Sequence, residues 1–225
     1  WPGIASIQLT LENGTWHMCS GALIQHRWVL TAARCFLGAG DVLKWKVVIG
    51  ATDLAQPGPG AEALPVKRIL KHRRYEEISE RNNIALVELE QPVECSDYIQ
   101  LGCVPDSSLA VPELRTCYVA GWRATADSGQ FPSPRAEPSH ENPVGNEGLV
   151  WEGRAGLAAA PDPSLSLAQG DIGAPLVCKD NAEEKFWLVG LASWGKGCAR
   201  ARRPGIFTST QHFHAWIRAH TQPRP

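Results

Sequence analysis

Apolar and polar residues alternate loosely over residues 4–10, Ile-Ala-Ser-Ile-Gln-Leu-Thr, as in a strand with one face buried. Glu12-Asn13-Gly14 follows as a hairpin turn, and Cys19 to Leu30 holds a further strand pair closing on Trp28-Val29-Leu30. Trp45 to Ile49 reads as a short strand of alternating bulky residues, Ile84 to Leu89 as a core strand and Tyr118 to Trp122 as another. Gln56-Pro57-Gly58-Pro59-Gly60 is a surface loop. Short strands between frequent turn signals predict an all-β architecture rather than βαβ units. Helical spacing occurs only near the end, where Phe213, Trp216, Ile217 and His220 form an apolar stripe on a predicted helix over about 211–220.

One stretch breaks the pattern. Residues 123–166 carry six prolines (132, 134, 138, 143, 161 and 163), no cysteine and almost no strand-like alternation. Each proline removes a donor from any ladder it joins, so an irregular segment is expected. A second reading takes it as a misjoined exon that was never selected to fold.

Composition narrows the class. The 225 residues are 44% hydrophobic and 20% charged, enough for one sizeable core or two small ones. A formal net charge of −1 gives no global drive toward nucleic acid or a membrane surface, and no apolar run is long enough to span a bilayer. Seven cysteines at 19, 35, 95, 103, 117, 178 and 198 contain no CxxC pair, so their wide spacing reads as disulfides in an oxidising compartment rather than a metal site. The odd count leaves one thiol unpaired or bonded to another chain. Asn13-Gly14-Thr15 is a glycosylation sequon, in keeping with secretion. His212 and His214 are two apart and face away from each other on a helix, so neither metal nor cofactor is expected.

The chemistry-bearing stretch is Gly170-Asp171-Ile172-Gly173-Ala174-Pro175, a glycine-bracketed acidic turn that presents one side chain beside converging amides. Such a loop suits a serine nucleophile whose oxyanion those amides would hold, yet position 172 is isoleucine. Two further stretches share this character, Trp28-Val29-Leu30-Thr31-Ala32-Ala33-Arg34-Cys35 and Asn82-Asn83-Ile84-Ala85-Leu86. With Ser193-Trp194-Gly195 and Arg203-Pro204-Gly205-Ile206-Phe207 they resemble, in order and spacing, the motifs of trypsin-like serine proteases. The runs Gly197 to Gly205 and Cys95…Cys103-Val104-Pro105 are most similar to the acrosin branch of that family.

The resemblance implies two six-stranded antiparallel β-barrels and a C-terminal helix in one domain over 1–225. Barrel one would cover about 1–105 and barrel two about 106–210, degenerate at 123–166, with the extreme N-terminus of the domain lacking. It places Arg34 where the family has its base, Asn83 at the orienting aspartate and Ile172 at the nucleophile. A guanidinium stays protonated and a hydrocarbon has no lone pair, so the expectation is that the chain is not an enzyme but a pseudoprotease. Gly170 would keep an oxyanion-type N–H, and Ser166, Gln169, Ser193, Trp194, Gly195 and Gly205 would be remnants of the substrate pocket. Asp171 would lack its activating ammonium and turn to solvent or to another donor.

Disulfides Cys19–Cys35 and Cys117–Cys178 are also implied, with Cys198 bereft of a partner because Ala168 stands where a cysteine is expected. Cys95 and Cys103 resemble the pair that ties a heavy chain to a short light chain; they could instead bond each other or stay free. Two basic runs stand out. For Lys67, Arg68, Lys71, Arg73 and Arg74, with Glu76, Glu77 and Glu80 nearby, a solvated face is the favoured reading. Lys196, Arg200, Arg202 and Arg203 are the candidates for holding a sulfated glycan or egg-coat glycoprotein. No nucleic-acid partner is expected, and the compartment would be secreted or the acrosomal lumen. A decayed gene product and a serine-type endopeptidase acting in sperm–egg coat penetration are the alternatives.

Overall fold

The computed structural model describes residues 1–114, 116–122, 142–143, 157–159, 172–180, 183–194 and 206–222. Its first half is a closed antiparallel barrel of β1 (Ile4–Leu11), β2 (Gly14–Gln25), β3 (Trp28–Thr31), β4 (Trp45–Ile49), β5 (Glu62–Lys71) and β6 (Ala85–Leu89). Around the barrel the strands run β1-β2-β3-β6-β5-β4, and β4 closes on β1. The turn predicted at Glu12-Asn13 joins β1 to β2.

The second half is a six-stranded sheet in the order β8-β7-β10-β11-β12-β9. Its members are β7 (Thr116–Val119), β8 (Asn142–Pro143), β9 (Leu157–Ala159), β10 (Pro175–Asp180), β11 (Lys185–Trp194) and β12 (Ile206–Ser209). Helix α1 (His214–Thr221) follows, three residues later at its start than the stripe predicted. The architecture is therefore mostly β with one terminal helix, as a two-part trypsin-like fold requires.

Two pieces of the proline-rich stretch do form strands, a correction to its expected irregularity. Among the described residues both β8 and β9 are edge strands pairing on one side only, and Pro143 sits opposite Thr116 at that edge, where a missing donor is tolerated. The remainder of 123–166 lies outside the described residues.

Alternation sorts the apolar residues of the first half between two cores. Leu23, Val29, Val87 and Leu89 point into the barrel with Ile7, Val47, Ile49 and Phe36. Their neighbours Ala22, Ile24, Leu30 and Leu86 point outward, onto Leu188 and Leu191 of β11 and onto Phe213 and Ile217 beside and within α1. Strands β2, β3 and β6 are thus covered on both faces, which is why Ile84–Leu89 reads as an almost unbroken apolar run. A separate cluster of Val111, Leu114, Leu176, Val189 and Phe207 fills the second half.

Strand β5 was not foreseen. A register shift between Val66 and Arg68 breaks its alternation, so Lys67, Arg68 and Lys71 read as a basic run and not as a strand.

Candidate functional site

The segment carrying Arg34 leaves β3 at Thr31 and is pinned by buried Ala32 and Ala33 before a short 3₁₀ turn over Ala33–Phe36. Cys35 in that turn is bonded to Cys19 of β2, with the two Cα atoms 6.0 Å apart. The turn therefore cannot drift from the barrel. The Arg34 backbone N–H donates to Asn83 Oδ1 at 2.8 Å. Asn83, at the entrance to β6, is fully buried, and its Nδ2 donates to Ser193 Oγ of β11 at 2.7 Å. The Asn83 carbonyl accepts from Thr208 Oγ1 of β12 at 3.1 Å. One asparagine thus bonds the first half and two strands of the second. Its amide orientation follows from the fixed donor at Arg34.

The Arg34 side chain points elsewhere. Its Nη1 pairs with Glu80 Oε1, and Tyr75 donates its hydroxyl to Glu80 Oε2 at 3.0 Å. Glu80 is only 4% exposed, while the Arg34 side chain is 42% exposed. Burial raises the Tyr75 pKa, with Arg34 opposing and Glu77 assisting, so the phenol stays a donor to the carboxylate. Glu80 and Asn82 both adopt left-handed backbone, at φ 54° and 55°. That path brings Glu80 inward to Arg34 and Asn83 inward to Ser193.

Ile172 is partly buried against the barrel cluster that contains Ala32, Ala33 and Cys35. Its carbonyl accepts from the Ser20 N–H at 2.9 Å, and Gly173 N–H donates to the Ala192 carbonyl at 2.7 Å. Gly173 has φ +79°, and a β-carbon there would overlap the Ser20 carbonyl and the Thr31 hydroxyl. The turn at 172–173 is therefore seated between β2, β3 and β11, on the same side as the Arg34 turn.

The second disulfide, Cys117–Cys178, joins β7 to β10. Cys95 and Cys103 are both exposed free thiols and do not bond each other. Asn13 is exposed at the hairpin turn and accepts from Trp16 Nε1 at 3.2 Å. Trp194 ends β11, paired with Ile206. Gly170, Asp171, Ser166, Gln169, Gly195, Gly205, Cys198, Lys196, Arg200, Arg202 and Arg203 lie outside the described residues. Among the described residues no cluster of His, Cys, Asp and Glu has metal-binding geometry, and no helix is long and apolar enough to cross a membrane.

Sequence reading missed Glu80 and Tyr75 as partners of Arg34. The available signal was the acidic run at 76–80, read only as a counterweight to the nearby basic residues.

One comparison with known families agrees with this fold. The family model described as Trypsin matches residues 1–217, so the chain belongs to the trypsin family of serine proteases. Two disulfides and this domain are consistent with a secreted or otherwise oxidising compartment. The membership also corrects the expectation that the chain is not an enzyme. The family is typically proteolytic, and nothing positive in the structure shows a loss of activity.

Proposed function

We propose that this chain is an acrosin-type member of the trypsin family, secreted or acrosomal, that engages extended polypeptide and sulfated glycan as a single domain. The observation that carries the polypeptide part is the buried Asn83–Ser193 bond, which anchors the end of β11 to the first half; Ser193-Trp194 lies past Leu191, where the described pairing of β11 with β10 stops, and so leaves one side for a peptide. A fixed edge strand adds an extended peptide through backbone hydrogen bonds at low ordering cost. Lys196, Arg200, Arg202 and Arg203 supply clustered positive charge for sulfate groups.

The family match favours a second reading, a serine-type endopeptidase, for which egg-coat penetration is the role the acrosin resemblance implies. With Arg34, Asn83 and Ile172 at the motif positions, hydrolysis then draws its nucleophile from another residue, because neither a hydrocarbon nor a guanidinium attacks a carbonyl.

One experiment addresses both readings. The purified chain is titrated with a sulfated and a desulfated glycan and with an extended arginyl peptide, and arginyl-ester turnover is followed with and without a serine-directed probe. Selective retention of the sulfated glycan together with peptide binding is the expected result. Failure of both ligands to bind would overturn the binding role, and probe-sensitive turnover would establish the second reading.

A further inference from the structure

Arg27 of the β2–β3 turn and Arg68 and Lys71 of β5 line a groove beside α1. Arg34 is set apart from them. Its turn and Ile172 pack into one apolar cluster, and its backbone N–H is tied through the Asn83 side chain to Ser193 near the end of β11. The residue bearing this cation is thus one side chain away from the strand end that the polypeptide reading uses.

The Arg34 side chain is half-exposed yet fixed. Nη1 pairs with buried Glu80, and Tyr75 occupies the second oxygen of that carboxylate. Left-handed backbone at Glu80 turns the acid inward, so the guanidinium is held from its buried side. The Nε and Nη2 donors of Arg34 have no partner among the described residues. These two N–H groups lie along one edge of the planar group, and such an edge meets both oxygens of a carboxylate. Glu80 engages a different donor, so that edge is open while the charge stays in place. An arginine already held by an acid has lost rotamer freedom before a ligand arrives, which lowers the cost of binding.

We propose that Arg34 binds one carboxylate of a polypeptide seated along Ser193-Trp194, supplied by a chain end or by a single Asp or Glu side chain. This rests on the polypeptide part of the proposed function and names the group that the site selects. Partly buried Ile172, on the neighbouring turn, adds an apolar contact that suits a peptide over a free anion. A run of acids fits less well. Exposed Glu76 and Glu77 stand on the same loop as Glu80, and Glu77 is near enough to act on Tyr75.

The test titrates the full chain with four extended peptides that carry no other charge. One has a free C-terminal carboxylate and one is its amide; a third is the amide with one internal Asp, and a fourth has Asn in place of that Asp. At least one carboxylate peptide should bind about tenfold tighter than its uncharged match. That advantage should shrink as salt rises from about 0.1 M to about 1 M. Arg34→Gln/Glu80→Gln should bring each carboxylate peptide to the affinity of its match; both charges go together, so no acid is stranded, and a thermal melt checks the fold. On unmodified protein, the Arg34 Nε–H resonance should shift with the favoured carboxylate peptide and not with its match.

An advantage confined to the free terminus assigns a chain end, and one seen with the internal Asp assigns a side chain; either supports the site. Equal binding of all four peptides would overturn it and leave the polypeptide reading standing. An advantage that persists in Arg34→Gln/Glu80→Gln would overturn Arg34 as its source. Absence of binding by any peptide would overturn both.

Discussion

Asn83 Nδ2 donates to Ser193 Oγ across 2.7 Å, with both residues fully buried and 110 positions apart in the chain. The same side chain accepts the Arg34 amide, so a single amide group couples the barrel to the second sheet. Water reaches neither Asn83 nor Ser193, so a bond lost here has no solvent replacement.

Asn83→Ala would strand the Arg34 N–H and the Ser193 hydroxyl in a dry interface. Each unsatisfied group costs about 1–3 kcal/mol, so an overall loss of about 2–4 kcal/mol is expected in denaturant unfolding. Ser193→Ala should cost less, because it leaves only the amide unpaired. The double variant should fall short of the sum of the singles. Additive losses would show that the two residues do not depend on each other.

The Arg34–Glu80–Tyr75 chain joins a half-exposed cation to a buried carboxylate. Removing a partner from a buried pair costs about 3–5 kcal/mol, but the 42% exposure of the Arg34 side chain lets solvent screen part of this. Arg34→Ala is expected to destabilise by about 1–2 kcal/mol. Adding Glu80→Ala should restore part of the loss, since the stranded carboxylate is then gone. A double variant as unstable as the sum of the singles would refute the coupling.

The two disulfides close loops of very different length, with separations of 16 and 61 residues. Loop-closure entropy gives about 3 kcal/mol for the shorter and about 4 kcal/mol for the longer. Replacing Cys117 and Cys178 with alanine should therefore lower the melting temperature more than replacing Cys19 and Cys35. The reverse order would mean that the barrel turn bearing Arg34 depends on its bridge for more than chain entropy.

His72 links the barrel to α1. Its ring lies 5.3 Å from both Phe213 and Trp216, and its Nδ1 accepts the Arg74 amide at 3.3 Å. Burial lowers its pKa below the ordinary 6.5, with Arg74, His220 and His212 adding in the same direction. A depressed histidine favours the folded state only while neutral. As pH falls through 6.5 the unfolded chain takes up the proton first, so stability drops from there toward the folded value and then levels. His72→Gln should flatten this part of the stability profile. An unchanged acid limb would show that another group governs it.

How much was legible depended on how local each cause is. Trp45–Ile49 and the Glu12-Asn13 turn were readable because alternation and turn chemistry act between near neighbours. Strand β5 was not, since its bulge hides the period and its pairing with β4 and β6 is made at a distance. Arg34, Asn83 and Ile172 were singled out by a resemblance to family motifs, but the partners they have in the fold were not. Ion pairing gives no sign in sequence of which acid will answer a given base.

The order of residues alone therefore determined an all-β chain with a terminal helix and disulfide-forming cysteines, and singled out positions 34, 83 and 172 by their resemblance to family motifs. Only the tertiary structure decided that Asn83 bonds Ser193, that Glu80 turns inward to Arg34, and that Arg27 of the β2–β3 turn and Arg68 and Lys71 of β5 share one groove with α1. The first set follows from periodicity and residue chemistry, which the chain carries locally. The second follows from barrel closure and the packing of two halves, which bring together groups 110 and 125 residues apart.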